Sequence, residues 1–413
     1  MEKRRVVITG MGAVSPVGND VETMFKNMVN GQNGIDFIKQ CGDVSDWKVQ
    51  VAGEVKDLDF EQFIDKKEIK RSDRVMLLAL VAAHEAWEQA KLEGVTFDHQ
   101  RFGTFVSSGI GGLNTILEEV SNNVLRGQSR ISPFFIPNAI INLIGGKIAI
   151  KYQAKGPNIP IVTACSAATN SIGEAFRYIR DGYIDIAFAG GSEAPINSLG
   201  LGGFASLRAL NFSNDPNRSS IPFDKERSGF VIAEGAGVLI LEDYDHAVNR
   251  GAEIISEIVG YGTSTDAFHM TAPDEDANGI ELCLNLALAD AKLPKEAIDH
   301  INAHGTSTPL NDRLETLGIK KAFKEHAYNI HINSTKSMTG HALGAAGGIE
   351  SIAVIKALET GLIPPTINHQ IEDPECDLNY TLHHAAKRDM TYAMNVNIGF
   401  GGQNAALIFK KVK

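Results

Sequence analysis

Short runs of β-branched and aromatic residues alternate along this chain with longer stretches in which apolar residues recur every three or four positions. Runs of the first kind read as buried strands and stretches of the second as helices. Val6 to Thr9 is a strand by this pattern, closed by a tight turn at Gly10–Met11–Gly12, and Val75 to Leu92 is a helix. Phe102 to Val106 is a strand that runs into the loop Ser107 to Gly112. Ile159 to Val162 is a strand followed by Thr163–Ala164–Cys165 and a helix to Arg180; Ile184 to Ala189 is a strand ended by Gly190–Gly191. The second half repeats the order. Glu253 to Tyr261 is a strand, Ile280 to Ala291 a helix, and Asp299 to Ala303 leads into His304–Gly305–Thr306. Ile330 to Ser334 leads into Lys336 and one small-residue helix through Leu358. Strands Ala393 to Ile398 and Ala405 to Phe409 flank Gly399–Phe400–Gly401–Gly402. The pattern predicts an α/β protein of two echoing halves, residues 1–250 and 251–413, that share one core because no low-complexity linker divides them.

Composition narrows the function class. Apolar content of 43% and charged content of 22% are ordinary for a globular protein. Forty glycines exceed the usual share of about 7% and point to close backbone approaches. A net charge of −11 disfavours nucleic acid as a partner but permits a local basic patch. The four cysteines, Cys41, Cys165, Cys283 and Cys376, are scattered, which suggests neither a zinc site nor a disulfide framework. The charged N-terminus lacks the apolar core of a signal peptide, and no uncharged apolar run reaches about 20 residues. The expectation is a cytoplasmic protein without membrane attachment.

The chemistry gathers where strands end. Cys165 stands between a strand pattern and a helix, where free N–H groups and the helix dipole favour thiolate and an oxyanion. Against this, a lone cysteine is commonly just a small buried hydrophobe. His304 and His341 sit in glycine-rich turns after strands, where an imidazole can donate to a developing oxyanion or exchange a proton. Lys336 and Glu350, fourteen positions apart in an apolar setting, suit a buried pair. Phe400 is an aromatic in a glycine loop, placed to act as a gate. Gly10 and Gly12 lack the third glycine and the acidic residue of a dinucleotide fingerprint. Gly190–Gly191–Ser192–Glu193–Ala194 lacks the closing glycine of a hydrolase elbow.

Taken together, RRVVITGMGAVSPVGN, SSGIGGL, RISPFFIPN, TACSAATNSIG, DIAFAGGSEA, PFDKERSGF, AHGTSTPLND, STKSMTGHALGAAGGIES and GFGGQNAALIF resemble the elongating β-ketoacyl-acyl-carrier-protein synthases of the thiolase-like superfamily, along essentially the whole chain. The resemblance implies a five-layered α-β-α-β-α fold with internal duplication. It implies a triad of Cys165, His304 and His341 for decarboxylative condensation of malonyl-carrier-protein with an acyl group held on Cys165. The N–H groups of Cys165 and Phe400 would form the oxyanion hole, and Lys336 with Glu350 a supporting pair. Thr271, Thr306 and Thr308 match residues that hold the phosphopantetheine arm. Ile110, Phe204 and Phe400 match acyl-pocket and gate positions, and Phe135 one donated across a homodimer interface. Lys66, Lys67, Lys70, Arg71 and Arg74, with Arg126, Arg130 and Arg208, would receive the acidic acyl carrier protein. The substrates bring their own phosphopantetheine, so no resident cofactor or metal is expected.

The chain departs from the family pattern at Gln403, Ser228, Ala233, Ala168 and Val396, the last beside an occasional alkali-metal site. Three other functions compete: a condensing enzyme of polyketide or other secondary metabolism, a non-catalytic partner subunit of the same fold, and a nicotinamide oxidoreductase argued from Gly10 and Gly12.

Overall fold

The computed structural model describes residues 3–412; Met1, Glu2 and Lys413, which belong to the charged chain ends, lie outside the described residues. The N-terminal half contributes β1 (Val6–Val14), α1 (Arg74–Gln89), β2 (Phe102–Ser107), α2 (Asn142–Tyr152), α3 (Ala167–Arg180), β3 (Ile186–Glu193), α4 (Ser198–Ser206) and β4 (Gly235–Asp243). The C-terminal half contributes β5 (Ser256–Thr265), α5 (Asn278–Ala291), β6 (Ile298–Asn302), α6 (Pro309–Phe323), β7 (His331–Asn333), α7 (Lys336–Thr339), α8 (Ala346–Thr360), β8 (Tyr392–Gly399) and β9 (Gln403–Lys411).

The strands order as β2-β3-β4-β1-β5-β9-β8-β6-β7. Each half has a parallel pair, β2 with β3 and β6 with β8, followed by two antiparallel pairs, and the second half adds β7 in parallel beside β6. Among the described residues the half-sheets pair through Val6–Ile258, Val7–Glu257 and Ile8–Ser256. That short seam lets them fold over a shared helical layer. Ile172, Phe176 and Ile179 of α3 and Ile349 and Ile352 of α8 fill this layer, against Leu239 and Leu241 of one half-sheet and Leu407 and Phe409 of the other. Leu78 and Val81 of α1 and Ile144 and Ile148 of α2 cover one outer face, with Val106, Phe188 and Ile240 beneath. Ile280 and Leu284 of α5 and Leu314 and Ile319 of α6 cover the other, with Ile301, Met394 and Ile408 beneath. Five layers and an internal duplication result, as the resemblance implied.

The duplication extends to single glycines. A Cβ on Gly10 or Gly12 of β1 would land on the carbonyls of Ala86 and Ala82 of α1; a Cβ on Gly260 or Gly262 of β5 would land on those of Ala287 and Cys283 of α5. Gly10 and Gly12 therefore lie inside a continuous strand, and the turn expected there is absent; glycine occurs because a helix backbone presses on the sheet. Gly190 and Gly191 likewise lie within β3 instead of ending it.

Two further expectations need correction. Ile159 to Val162 forms no regular strand. It holds the place that β7 takes in the other half, and among the described residues the chain around it meets β2 through three bonds, Gly156 N–H to the Phe102 carbonyl (2.8 Å), Thr104 N–H to the Pro157 carbonyl (2.8 Å) and Ile159 N–H to the Thr104 carbonyl (3.0 Å). Pro157 and Pro160 have no N–H to extend the ladder. The helix expected from Lys336 through Leu358 is broken: α7 stops at Gly340, whose φ is +72°, and α8 begins at Ala346. The break frees His341 from any helix. Its N–H donates to the Val231 carbonyl (2.7 Å) and its carbonyl accepts from Ala233 N–H (3.0 Å).

Candidate active site

Cys165 lies in a single 3₁₀ turn, Ala164–Ser166, that runs directly into α3. Ala164 before it takes a left-handed φ of +50°, a conformation a non-glycine residue holds only when its surroundings enforce it. Ser166 supplies that enforcement: its Oγ donates to the carbonyls of Asn397 (3.1 Å) and Gln403 (2.7 Å), tying the turn to β8 and β9. Gly399 packs so closely on the turn that a Cβ would meet the Thr163 carbonyl. This contact brings the Phe400 N–H to the Cys165 sulfur, where it and the N–H of Cys165 itself favour negative charge.

His304 follows β6. Its N–H and that of Gly305 donate to the two carboxylate oxygens of Glu315 on α6 (2.6 and 2.8 Å). Cys165, His304 and His341 are all buried, and one ligating atom from each lies within 4.8 Å of the others. The two imidazoles meet edge to face, with centroids 5.1 Å apart. Burial first, and the Lys336 ammonium second, hold both well below the usual histidine range, so both are neutral at pH 7. Lys336 and Glu350 form a buried ion pair; burial pushes the Glu350 carboxyl up, against the pull of Lys336.

The thiol itself departs from expectation. Burial pushes Cys165 up to about 12, and the opposing pull of Lys336 and the two amides does not cancel it. The thiol is thus protonated at rest, whereas its place at a helix start led us to expect a thiolate.

Cys165, His304 and His341 line a cavity of about 350 Å³ that also holds Phe400, Phe230, Thr271, Thr306 and Thr308, with Arg208 among its lining residues. The Thr306 and Thr308 hydroxyls are 3.1 Å apart. Cys41, Cys283 and Cys376 are not among its lining residues. Ile110 and Phe204 pack in the apolar cluster around Cys165, and the Phe204 ring lies 6.5 Å from that of Phe400. Phe135 is half-buried on the short helix Phe135–Ala139 and does not reach the cavity of its own chain.

Lys66, Lys67, Lys70, Arg71, Arg126, Arg130 and Arg208 are all exposed. Arg74, expected beside them, instead makes a two-pronged ion pair with buried Glu234 (both contacts 2.7 Å) and leaves the patch. Lys66 is drawn to Glu61 (2.8 Å).

A family model for the N-terminal domain of β-ketoacyl synthases matches residues 3–247, and one for their C-terminal domain matches residues 255–370. The chain belongs to the β-ketoacyl synthase family. It is therefore a condensing acyltransferase. Among curated relatives, 3-oxoacyl-acyl-carrier-protein synthase 2 of Synechocystis sp. is 47% identical over 412 residues, covering 100% of this chain and 99% of the relative. The Staphylococcus aureus protein of the same name is 45% identical, covering 99% of each. A solved type II PKS acyl-carrier protein in complex with its ketosynthase, bound to the hexaketide, superposes with a TM-score of 0.92 at 34% identity, over 100% of both chains.

Three residues of this ketoacyl synthase site escaped the sequence. Glu193 accepts from Ser108 Oγ and from the N–H groups of Gly109, Ile110 and Gly344, binding two loops around the acyl side of Cys165. Glu315 orients His304 as described. Asn397 reaches the Nδ1 of His304. For Glu193 and Asn397 the available signal was a carboxylate or amide in an otherwise apolar strand: Asn395 and Asn397 alternate in β8 and so share one face.

Proposed function

We propose that this chain is a 3-oxoacyl-acyl-carrier-protein synthase of type 2, elongating acyl groups by two carbons in fatty acid biosynthesis. The supporting observation is the convergence of a buried thiol, two neutral imidazoles and the Phe400 amide at the base of one cavity. The Cys165 sulfur attacks the thioester carbonyl of the incoming acyl carrier. The carbonyl oxygen becomes an oxyanion held by the N–H groups of Cys165 and Phe400. When the pantetheine sulfur leaves, it takes up a proton equivalent to the one Cys165 lost, so no base is consumed. Malonyl thioester then enters along Thr271, Thr306 and Thr308. Loss of carbon dioxide leaves its electron pair on the α-carbon, and the imidazole N–H groups of His304 and His341 stabilise the enolate oxygen. That carbon attacks the acyl group on Cys165, the new C–C bond forms, and the thiolate departs. Splitting transfer from condensation lowers each barrier.

The partners follow from the substrates and the surface. Acyl carrier protein delivers both thioesters. A second copy of the chain is expected against the exposed apolar side chains Val124, Leu125, Ile136 and Ile150, and would bring Phe135 to its neighbour's acyl pocket. Among the described residues no helix is long and apolar enough to cross a membrane, and we place the enzyme in the cytoplasm. Relatives named for the fatty-acid reaction at 47% identity, against 34% for the polyketide ketosynthase, favour the fatty-acid reading.

Incubation with an acyl-carrier thioester followed by peptide mass spectrometry tests the assignment. The acyl mass should appear on Cys165 and vanish in Cys165→Ala. An adduct on Cys41, Cys283 or Cys376 would overturn it.

A further inference from the structure

We propose that Asn397 fixes the tautomer of His304, holding the imidazole proton on Nε2 and so presenting a donor to the enolate. The assignment deepens the role given to His304 above and rests on it.

Asn397 is fully buried on the inward face of β8, where an unpaired amide would be left without the hydrogen bonds water gives it. Every polar position of its amide is engaged. Oδ1 accepts from the Thr169 hydroxyl and from Asn395 Nδ2 (3.1 Å). Nδ2 donates to Glu350 Oε2 (2.7 Å) and faces His304 Nδ1 at 3.4 Å. A flipped amide would set its oxygen against Glu350 Oε2 and its NH₂ against the NH₂ of Asn395. The Asn395 amide is itself oriented by donating to the Gly347 carbonyl (3.3 Å) and accepting from Asn302 Nδ2 (3.1 Å). The network therefore permits one amide orientation. In it, an N–H points at His304 Nδ1, and a nitrogen facing a donor must be the acceptor. A neutral imidazole has one proton, and it is left for Nε2.

The same amide joins three parts of the machinery. Thr169 lies one helical turn beyond Cys165 on α3, and Glu350 Oε1 holds Lys336. His341 differs: neither of its ring nitrogens has a hydrogen-bond partner among the described residues, so its tautomer is left to the bound substrate. The synthase thus has one preset imidazole and one adaptable one. Asn397 is a positioning residue, since it touches the histidine and lies behind it.

The tautomer can be read directly. Full-length enzyme labelled with ¹⁵N in its imidazoles, with the His304 signals assigned by their loss in His304→Ala, should show the proton on Nε2. A proton on Nδ1 overturns the proposal without any Asn397 variant. Asn397→Asp puts an acceptor at Nδ1, should draw the proton there, and should slow malonyl decarboxylation on the order of 10²-fold. Acylation of Cys165 should continue near the wild-type rate. Normal decarboxylation in that variant, or equal loss of both steps with the Nε2 pattern retained, would overturn the proposal. If His304→Ala decarboxylates normally, the role of His304 fails instead, and the spectrum still decides the tautomer.

Discussion

The two histidines carry the sharpest expectations at the scale of single residues. Replacing either with alanine should abolish malonyl decarboxylation while Cys165 still accepts an acyl group, because the imidazoles serve the enolate and the oxyanion hole is made of backbone. Decarboxylation at the normal rate in both variants would refute that division, and separate assays of the two half-reactions measure it. Their lowered pKa values also have a consequence for stability. Below about pH 6.5 the unfolded chain protonates these rings and the folded chain does not. Their contribution is therefore complete well above pH 6.5 and is lost as pH falls through it, with a slope for each ring that rises to about 1.4 kcal/mol per pH unit once the unfolded ring is protonated and lasts until its folded pKa is reached. The difference in unfolding free energy between wild type and His341→Asn should shrink by about 1 kcal/mol between pH 6.5 and 5.5, where the unfolded ring goes from half to almost fully protonated. Other titrating groups cancel in the comparison, so a constant difference would contradict the burial argument. Much at this scale was legible beforehand. Cys165, His304, His341, Lys336, Glu350 and Phe400 announce themselves through position and motif. Asn397, Glu193 and Glu315 do not, because what makes them matter is the partner that folding brings to them, across separations of 93, 85 and 11 positions.

Glycine explains most of what was misread among the elements. In a bare pattern it reads as a breaker, so β1 seemed to end at Gly10 and β3 at Gly190, although both strands continue: at Gly10 glycine admits the backbone of α1, and at Gly190 that of the neighbouring strand β4 at Gly237. Proline explains the reverse error at Ile159 to Val162, where a β-branched pattern promises a ladder that Pro157 and Pro160 cannot donate to. The close approaches yield a test with opposite signs. Gly262→Ala forces a methyl onto the Cys283 carbonyl and should destabilise by about 1–3 kcal/mol. Gly203→Ala, inside α4 with open space around it, should stabilise by up to about 1 kcal/mol. Chemical denaturation of both variants measures the pair, and a shift of the same sign in each would refute the packing account. The loop between β8 and β9 is a different use of glycine. Gly401 and Gly402 hold φ of +86° and +71°, and the Gly401 N–H donates to the Met270 carbonyl (2.7 Å). Flanked by such residues, Phe400 should swing away from Phe204 when Cys165 is acylated. Crystal structures of the free and acylated enzyme with identical loops would contradict this.

The whole molecule carries a net charge of −11, yet on the proposed function it receives a small acidic carrier protein at the mouth of its cavity. Its exposed cations are consequently local. Lys67 and Lys70 stand free of ion pairs among the described residues, and Arg71 lies over the Phe134 ring at 5.4 Å. The plain alternative is a solvated helix face, since Asp65, Glu68 and Asp73 interleave with the cations. The structure weakens that alternative. Asp65 and Asp73 are turned back to cap helix starts, at Lys67 N–H and Val75 N–H, and Glu68 is drawn towards Lys147 (3.3 Å). Reversing Lys67, Lys70 and Arg71 to glutamate should therefore raise the KM for carrier-bound substrates, on the order of tenfold at low salt, by slowing encounter. Turnover of a free acyl-pantetheine should not change, because none of the three lines the cavity. Added salt should close the gap between variant and wild type, since screening removes the attraction that the substitution deletes. Equal loss on both substrates would mean that the fold or the cavity had been damaged, and no loss on either would restore the solvated-face reading.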